Sequence, residues 1–308
     1  MRPVFLTSFI CIICFIFFSS ESIPLAADEK PKVKRTRFYL ATPEGKNPKV
    51  YHVAKDYYNT GSPVFSPDGS KLAYDGWKSQ DGESFSNVQI LVANADGSDQ
   101  KIIGPGAMPS WSPGGNRIAF SQLSPYGVAI MNADGSDPKL IDSGGWGAQW
   151  SPDGKKIAYR SSTSGKANLR IYDLIEDTKS DLFPDGESPY SAIYWNMTWS
   201  PDSNWVCFLG RRAEDKMYEV ATVNVAGMEE GYKVHFKSKV SPYQDMAWHP
   251  QGDMIVFGSP GSPRKLLKFN PADDKAPEPL EIEVDGNING GVTFTPDGQH
   301  LLFNARDK

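Results

Sequence analysis

Three cysteines and four histidines are all that the 308 residues contain, and that scarcity removes several classes of protein. Cys11 and Cys14 fall in an N-terminal apolar run, and Cys207 stands alone in Trp205-Val206-Cys207-Phe208. A single thiol inside an apolar strand reads as a small buried hydrophobe, and without the N-terminal run no disulfide can form within the chain. His52, His235, His249 and His300 occupy unmatched positions, so neither a metal centre nor a cofactor is expected. Basic stripes are missing as well. The formal net charge is −5, with Lys and Arg spread along the chain, which argues against nucleic acid as a partner. The Gly-x-Ser-x-Gly elbow of hydrolases is absent, and no acid–base constellation stands out, so no catalytic residue is assigned.

Long apolar runs are also lacking, except at the start. Val4–Phe18, interrupted by Thr7 and Ser8, follows Arg2 and precedes small residues and Pro24. That length is short for a membrane span and suits a cleaved signal, with cleavage after Ser22 or Ala27. The expected organisation is a signal peptide over 1–27, a basic lead-in over 28–35 and one domain over 36–308. The mature chain is expected in the periplasm or outside the cell, with no transmembrane span. Lys30–Arg35 reads as a solvated lead-in.

What the chain does have is turn residues, 28 Gly and 24 Pro, together with 12% aromatics, a balance that favours short strands. These residues recur in a fixed pattern. The six turns are Phe65-Ser66-Pro67-Asp68-Gly69, Trp111-Ser112-Pro113-Gly114-Gly115, Trp150-Ser151-Pro152-Asp153-Gly154, Trp199-Ser200-Pro201-Asp202-Ser203, Trp248-His249-Pro250-Gln251-Gly252 and Phe294-Thr295-Pro296-Asp297-Gly298. Each is followed by an apolar strand such as Leu72-Ala73-Tyr74 or Ile157-Ala158-Tyr159. Pro presets φ in a turn, Asp or Ser bonds its own backbone, and Gly accepts positive φ, so the motif is structural. The turns recur at steps of 46, 39, 49, 49 and 46 residues, the spacing of propeller blades.

A second hairpin completes each unit. Val88–Val92 and Lys101–Ile103 flank Asn94-Ala95-Asp96-Gly97, and Val128–Met131 and Lys139–Ile141 flank Asn132-Ala133-Asp134-Gly135. Both turns faintly resemble calcium loops but lack the closing Glu, so turn chemistry is the reading. The last unit stops after one hairpin, whereas Arg37–Leu40 and Lys49–Val53 form a hairpin with no unit of its own. The expected fold is therefore all-β: a six-bladed β-propeller closed by pairing the N-terminal strands with the strands at 292–303.

These units resemble the WD40-like (PD40) repeats of the TolB-type propeller family, over about residues 36–308. The resemblance rests on the aromatic-Ser-Pro-Asp-Gly turn, the Ile-Ala-Phe-like strand and the Asn-x-Asp-Gly hairpin. It implies the six-bladed fold and weakly implies a scaffold or binding role, because related blades also serve peptidase gates and lyases. His249 with Gln251, Gly114 and Ser203 depart from the pattern. The α/β domain that precedes the propeller in TolB-type proteins has no counterpart before residue 36, so a Tol–Pal role is not carried over.

Ligand groups are expected in the loops ahead of each innermost strand, at the central channel. These supply Tyr58 and Asn59, Met108, Trp146, then Tyr194, Trp195 and Asn196, then Tyr243, Gln244 and Asp245, and finally Asn287 and Asn289. Aromatic faces beside amides and a carboxylate suit a protein segment or a glycan, with the ring stacking and the polar group orienting. The alternative is that the aromatics simply pack between blades. Two functions compete: a non-enzymatic binding scaffold, and a carbohydrate-active enzyme with Asp245 as base and Tyr194, Trp195 or Tyr243 as sugar platform. A purely structural role is a third. Asn196-Met197-Thr198 also matches a glycosylation acceptor.

Overall fold

The computed structural model describes residues 34–78, 85–163, 165–184 and 187–308. The expected signal peptide and most of the lead-in lie outside them. Among the described residues no helix is long and apolar enough to cross a membrane.

The turn motif forms a tight network. Ser66 Oγ donates to Asp68 Oδ1 at 2.6 Å and accepts the Lys71 N–H at 2.9 Å, while the Gly69 N–H closes on the Ser66 carbonyl at 2.8 Å. Ser151 with Asp153 and Thr295 with Asp297 repeat the side-chain bond at 2.6 Å. Where Gly114 removes the acid, Asn116 replaces it, accepting from Ser112 Oγ at 3.2 Å. His249 substitutes differently: its ring reaches the Gly298 carbonyl of the neighbouring turn at 3.0 Å. Asp96 and Asp134 each spend one oxygen on the N–H and hydroxyl of Ser98 or Ser136, as turn residues do.

Six antiparallel sheets follow from the six turns. From the inside outward, blade 1 is Asn59–Phe65, Lys71–Trp77, Gln89–Asn94 and Lys101–Pro105. Blade 2 is Ala107–Trp111, Arg117–Leu123, Tyr126–Asn132 and Lys139–Asp142; blade 3 is Trp146–Trp150, Lys156–Thr163, Lys166–Asp173 and Thr178–Asp181. In blade 4 the innermost strand is broken into Tyr190–Ile193 and Thr198–Trp199, both paired with Trp205–Arg212, outside which lie Tyr218–Asn224 and Tyr232–Ser238. Blade 5 is Met246–Trp248, Ile255–Gly258, Leu266–Phe269 and Glu278–Pro279.

Blade 6 joins the two ends of the chain. Asn287–Phe294 and Leu301–Arg306 supply its inner strands, and Thr36–Ala41 and Lys49–His52 its outer ones. The junction is in register, with Phe38 opposite Asn304, Tyr39 opposite Phe303 and Leu40 opposite Leu302. This is the closure expected from the repeat count, and it pairs the side of Leu301–Arg306 that would otherwise stand open.

Burial confirms the ring. Apolar clusters fill each junction between successive blades, from Leu72, Tyr74 and Phe38 at blades 6 and 1 round to Phe303, Val256 and Leu266 at blades 5 and 6. A seventh cluster, around Val88, Ala107, Met108 and Trp146, lies instead toward the axis.

Candidate functional site

The axial end of each blade is built from two repeat positions. One lies four residues before the Ser of the turn and contributes Ser62, Met108, Gly147, Asn196, Asp245 and Gly291. Five of these, all but Asp245, have positive φ, between 45° and 76°. The ladder slips there, between Gly61 and Val64, Ala107 and Ser110, Trp146 and Gln149, and Gly290 and Thr293. A left-handed residue at a bulge turns the strand inward and frees its N–H from the ladder.

The second position lies nine residues after the turn's Ser and contributes Asp75, Ser121, Arg160, Leu209, Gly258 and Asn304. Three of its side chains bond groups on the next blade. Asp75 Oδ2 accepts the Met108 N–H at 2.9 Å, Ser121 Oγ accepts the Gly147 N–H at 2.8 Å, and Asn304 Nδ2 donates to the Thr60 carbonyl at 3.0 Å. In blade 5, where Gly258 has no side chain to offer, Asp245 accepts the Gly291 N–H and also a bond from Asn196 Nδ2. A polar belt thus runs round the axis.

Above the belt opens a vestibule of about 500 Å³. Trp77, Phe85, Trp146 and Trp195 wall it, with Tyr126 stacked on Trp146 at 5.0 Å between centroids. Gly147 makes room for Trp195, whose Cβ would lie 2.7 Å from any Cβ added there. Tyr243 completes the wall, its ring covered by the Arg264 guanidinium at 4.4 Å. Below the belt a second cavity of about 420 Å³ is ringed by the aromatics that precede the turns, including Trp111, Trp150, Trp199 and Trp248. Ser62, Asn196 and Asp245 line both and mark the waist. Larger grooves of about 720 and 750 Å³ lie between outer strands, away from the axis.

Two carboxyls face the vestibule, and both are buried, Asp75 at 2% and Asp245 at 7% exposure. Loss of solvent pushes each up to about 6, against backbone and side-chain donors that favour the charged form. The Asp75 charge raises Asp245 further, which places the two within electrostatic reach. Burial, reinforced by Asp245, also raises the Tyr243 hydroxyl. The one cation on the vestibule wall among the described residues is Arg160. Perturbed groups converging in an apolar cavity make this the candidate site.

Of the residues named from sequence, Trp146, Trp195, Asn196, Tyr243 and Asp245 meet in this vestibule, with Met108. The others lie elsewhere. Tyr58 sits under Arg35 at 5.0 Å and accepts the Thr36 N–H on its carbonyl; Asn59 is buried at a strand end opposite Trp77. Tyr194 packs on Tyr218 and the junction of blades 4 and 5. Asn289 accepts from Arg264 at 3.1 Å, and Gln244 is half-buried outside the lining. Asp75, Arg160, Trp77, Phe85 and Tyr126 were not anticipated. Aligning the units nine residues past each turn would have exposed the first two. Among the described residues no three His, Cys, Asp or Glu side chains converge as metal ligands.

The profile of the family described as the TolB beta propeller domain matches residues 23–281. The chain belongs to this family. Among solved structures, this TolB-family propeller resembles a putative TolB from Agrobacterium tumefaciens, at 18% identity and TM-score 0.69, covering 89% of this chain and 99% of that one. It also resembles TolB from Acinetobacter baumannii, at 18% identity and TM-score 0.60, covering 89% of this chain and 64% of that one. An oligogalacturonate lyase in complex with manganese follows at 16% identity and TM-score 0.51, covering 73% and 69%. At these identities the likeness concerns the fold. No curated protein matches the chain.

Proposed function

We propose that this chain is an exported binding module that holds a protein segment or a glycan in its axial vestibule and performs no chemistry on it. The observation that carries this reading is the wall itself. Trp77, Phe85, Trp146 and Trp195 surround a cavity whose floor presents fixed polar groups, on a rigid closed scaffold. Aromatic side chains give large contact area for little lost freedom, and the polar floor orients what they hold. The expected signal peptide would deliver the chain to the periplasm or beyond. Titrating the purified protein with short peptides and oligosaccharides while following tryptophan emission tests the reading. A saturable change with a rise in Tm supports it; no change with either class of ligand contradicts it.

A second reading, a carbohydrate-active enzyme, draws on one observation: two carboxyls raised to about 6 face a single cavity. The hydrogen bonding counts against it. Each Asp245 oxygen already accepts a bond, from Asn196 or from the Gly291 N–H, which ties the carboxyl to the scaffold as a blade-to-blade link. Incubation with a panel of polysaccharides, scored for new reducing or unsaturated ends, separates the readings. Activity that disappears in Asp245→Ala would reverse the ranking.

A further inference from the structure

The polar belt has one member that does not serve it. Five blade junctions carry a side-chain tie at this level: Asp75 to Met108, Ser121 to Gly147, Asn196 to Asp245, Asp245 to Gly291, and Asn304 to Thr60. Between blades 3 and 4 the corresponding residue is Arg160, and among the described residues it makes no such tie. A guanidinium has no acceptor to offer a freed N–H, so it cannot do what Asp75 and Ser121 do. Its Nε is buried without a hydrogen-bond partner, and its Nη2 reaches only Tyr126 Oη, at 3.4 Å. Burying a donor unsatisfied is costly unless something else satisfies it.

The placement of charge round the ring is equally uneven. Asp75 belongs to blade 1 and Asp245 to blade 5, on either side of blade 6. Blade 6 brings no charged side chain there: Asn304 is neutral, and a Cβ on Gly290 would lie 2.3 Å from Asp245 Oδ2. Arg160 is on blade 3, which in a ring of six faces blade 6 across the axis. The vestibule therefore carries two acids on one side, offset in part by the Arg264 guanidinium over Tyr243, and Arg160 on the other, with indole and phenyl faces between.

We infer that the vestibule takes a ligand segment with opposite charges at its two ends, a carboxylate on Arg160 and an ammonium or guanidinium beside Asp75 and Asp245. A planar carboxylate matches the terminal nitrogens of the guanidinium that lines the vestibule. At the far side the aromatic wall and the two acids favour a cation, by ring quadrupole and by charge. The stretch between the charges lies against Trp146 and Trp195. At about 500 Å³ the cavity suits a compact ligand rather than a folded domain. A protein segment with a basic and an acidic residue a short way apart fits this pattern; a neutral glycan does not. The inference rests on the binding reading above and narrows it to a chemical class.

The test uses terminally blocked tetrapeptides read by tryptophan emission. One has lysine first and glutamate last, one glutamine in place of glutamate, one norleucine in place of lysine, and one both changes; neutral oligosaccharides complete the set. The doubly charged peptide is expected to bind about tenfold more tightly than either singly charged one. Arg160→Gln should remove the advantage of glutamate over glutamine and leave the effect of lysine intact. Peptides that all bind equally, or an Arg160→Gln protein with an unchanged ranking, would overturn the inference while leaving the vestibule a binding site. If no probe binds, both the inference and the binding reading fail. Because the peptides vary and the protein need not, a variant that misfolds does not remove the test.

Discussion

Asp75 Oδ2 accepts the backbone N–H of Met108 at 2.9 Å, and Met108 is held at a φ of 55°, where an unbranched side chain seldom sits. One buried carboxyl thus fixes a strained residue on the next blade. Removing it in Asp75→Ala leaves a buried N–H without a partner, which should cost about 2–3 kcal/mol in denaturant unfolding. A loss below about 0.5 kcal/mol would mean that water or another group substitutes readily.

The same carboxyl gives a signed pH dependence. Its folded value is raised from 3.8 to about 6, so the folded chain binds the proton more tightly than the unfolded chain does. That contribution is complete below the unfolded value and is lost as pH rises through about 6. Relative to wild type, Asp75→Asn should therefore gain about 2–3 kcal/mol between pH 4 and pH 7.5, whatever constant offset the amide introduces. Paired urea titrations at the two pH values measure it. A difference that stays flat would contradict the buried, ionising group.

Closure of the ring predicts coupling between the chain ends. The Tyr39 and Phe303 rings stack at 5.7 Å, and Phe303 is fully buried. A double-mutant cycle of Tyr39→Ala and Phe303→Ala should give an interaction energy of about 0.5–1.5 kcal/mol. Strict additivity would say that the ends do not meet.

Gly290 is a steric test of the vestibule floor. An added Cβ would lie 1.8 Å from Tyr243 Cε1 and 2.3 Å from Asp245 Oδ2, at a φ of 104° that L residues avoid. Gly290→Ala should therefore displace Tyr243 or Asp245, lowering Tm and weakening ligand binding together. Gly165→Ala has a similarly unfavourable φ but nothing within 4 Å, so it should lower stability slightly and leave binding unchanged. Equal effects from the two would place the site elsewhere.

The fold was legible because its signal is covalent and periodic. Six Pro turns set the blade number, and the orphan hairpin at 37–53 showed where the ring closes. The site was legible only in part. Trp146, Trp195 and Asp245 could be placed from their distance to a turn, but Tyr58 and Tyr194 could not, because the leading loops differ in length and only their last residues are fixed by the bulge. Asp75 and Arg160 were hidden by their setting. Each ends an apolar run, Leu72-Ala73-Tyr74 or Ile157-Ala158-Tyr159, that reads as strand core, and only the axial bulge brings them to the vestibule.

Hydrogen exchange with and without the lysine–glutamate tetrapeptide at saturation tests most directly whether the axial vestibule is where this protein binds. Added protection should fall on the amides around 60–62, 106–109, 145–148, 194–197 and 243–246, which meet at the axis although they are far apart in sequence. Protection confined to outer strands such as 49–52, 101–105 or 139–142 would put the ligand on the rim and contradict the account.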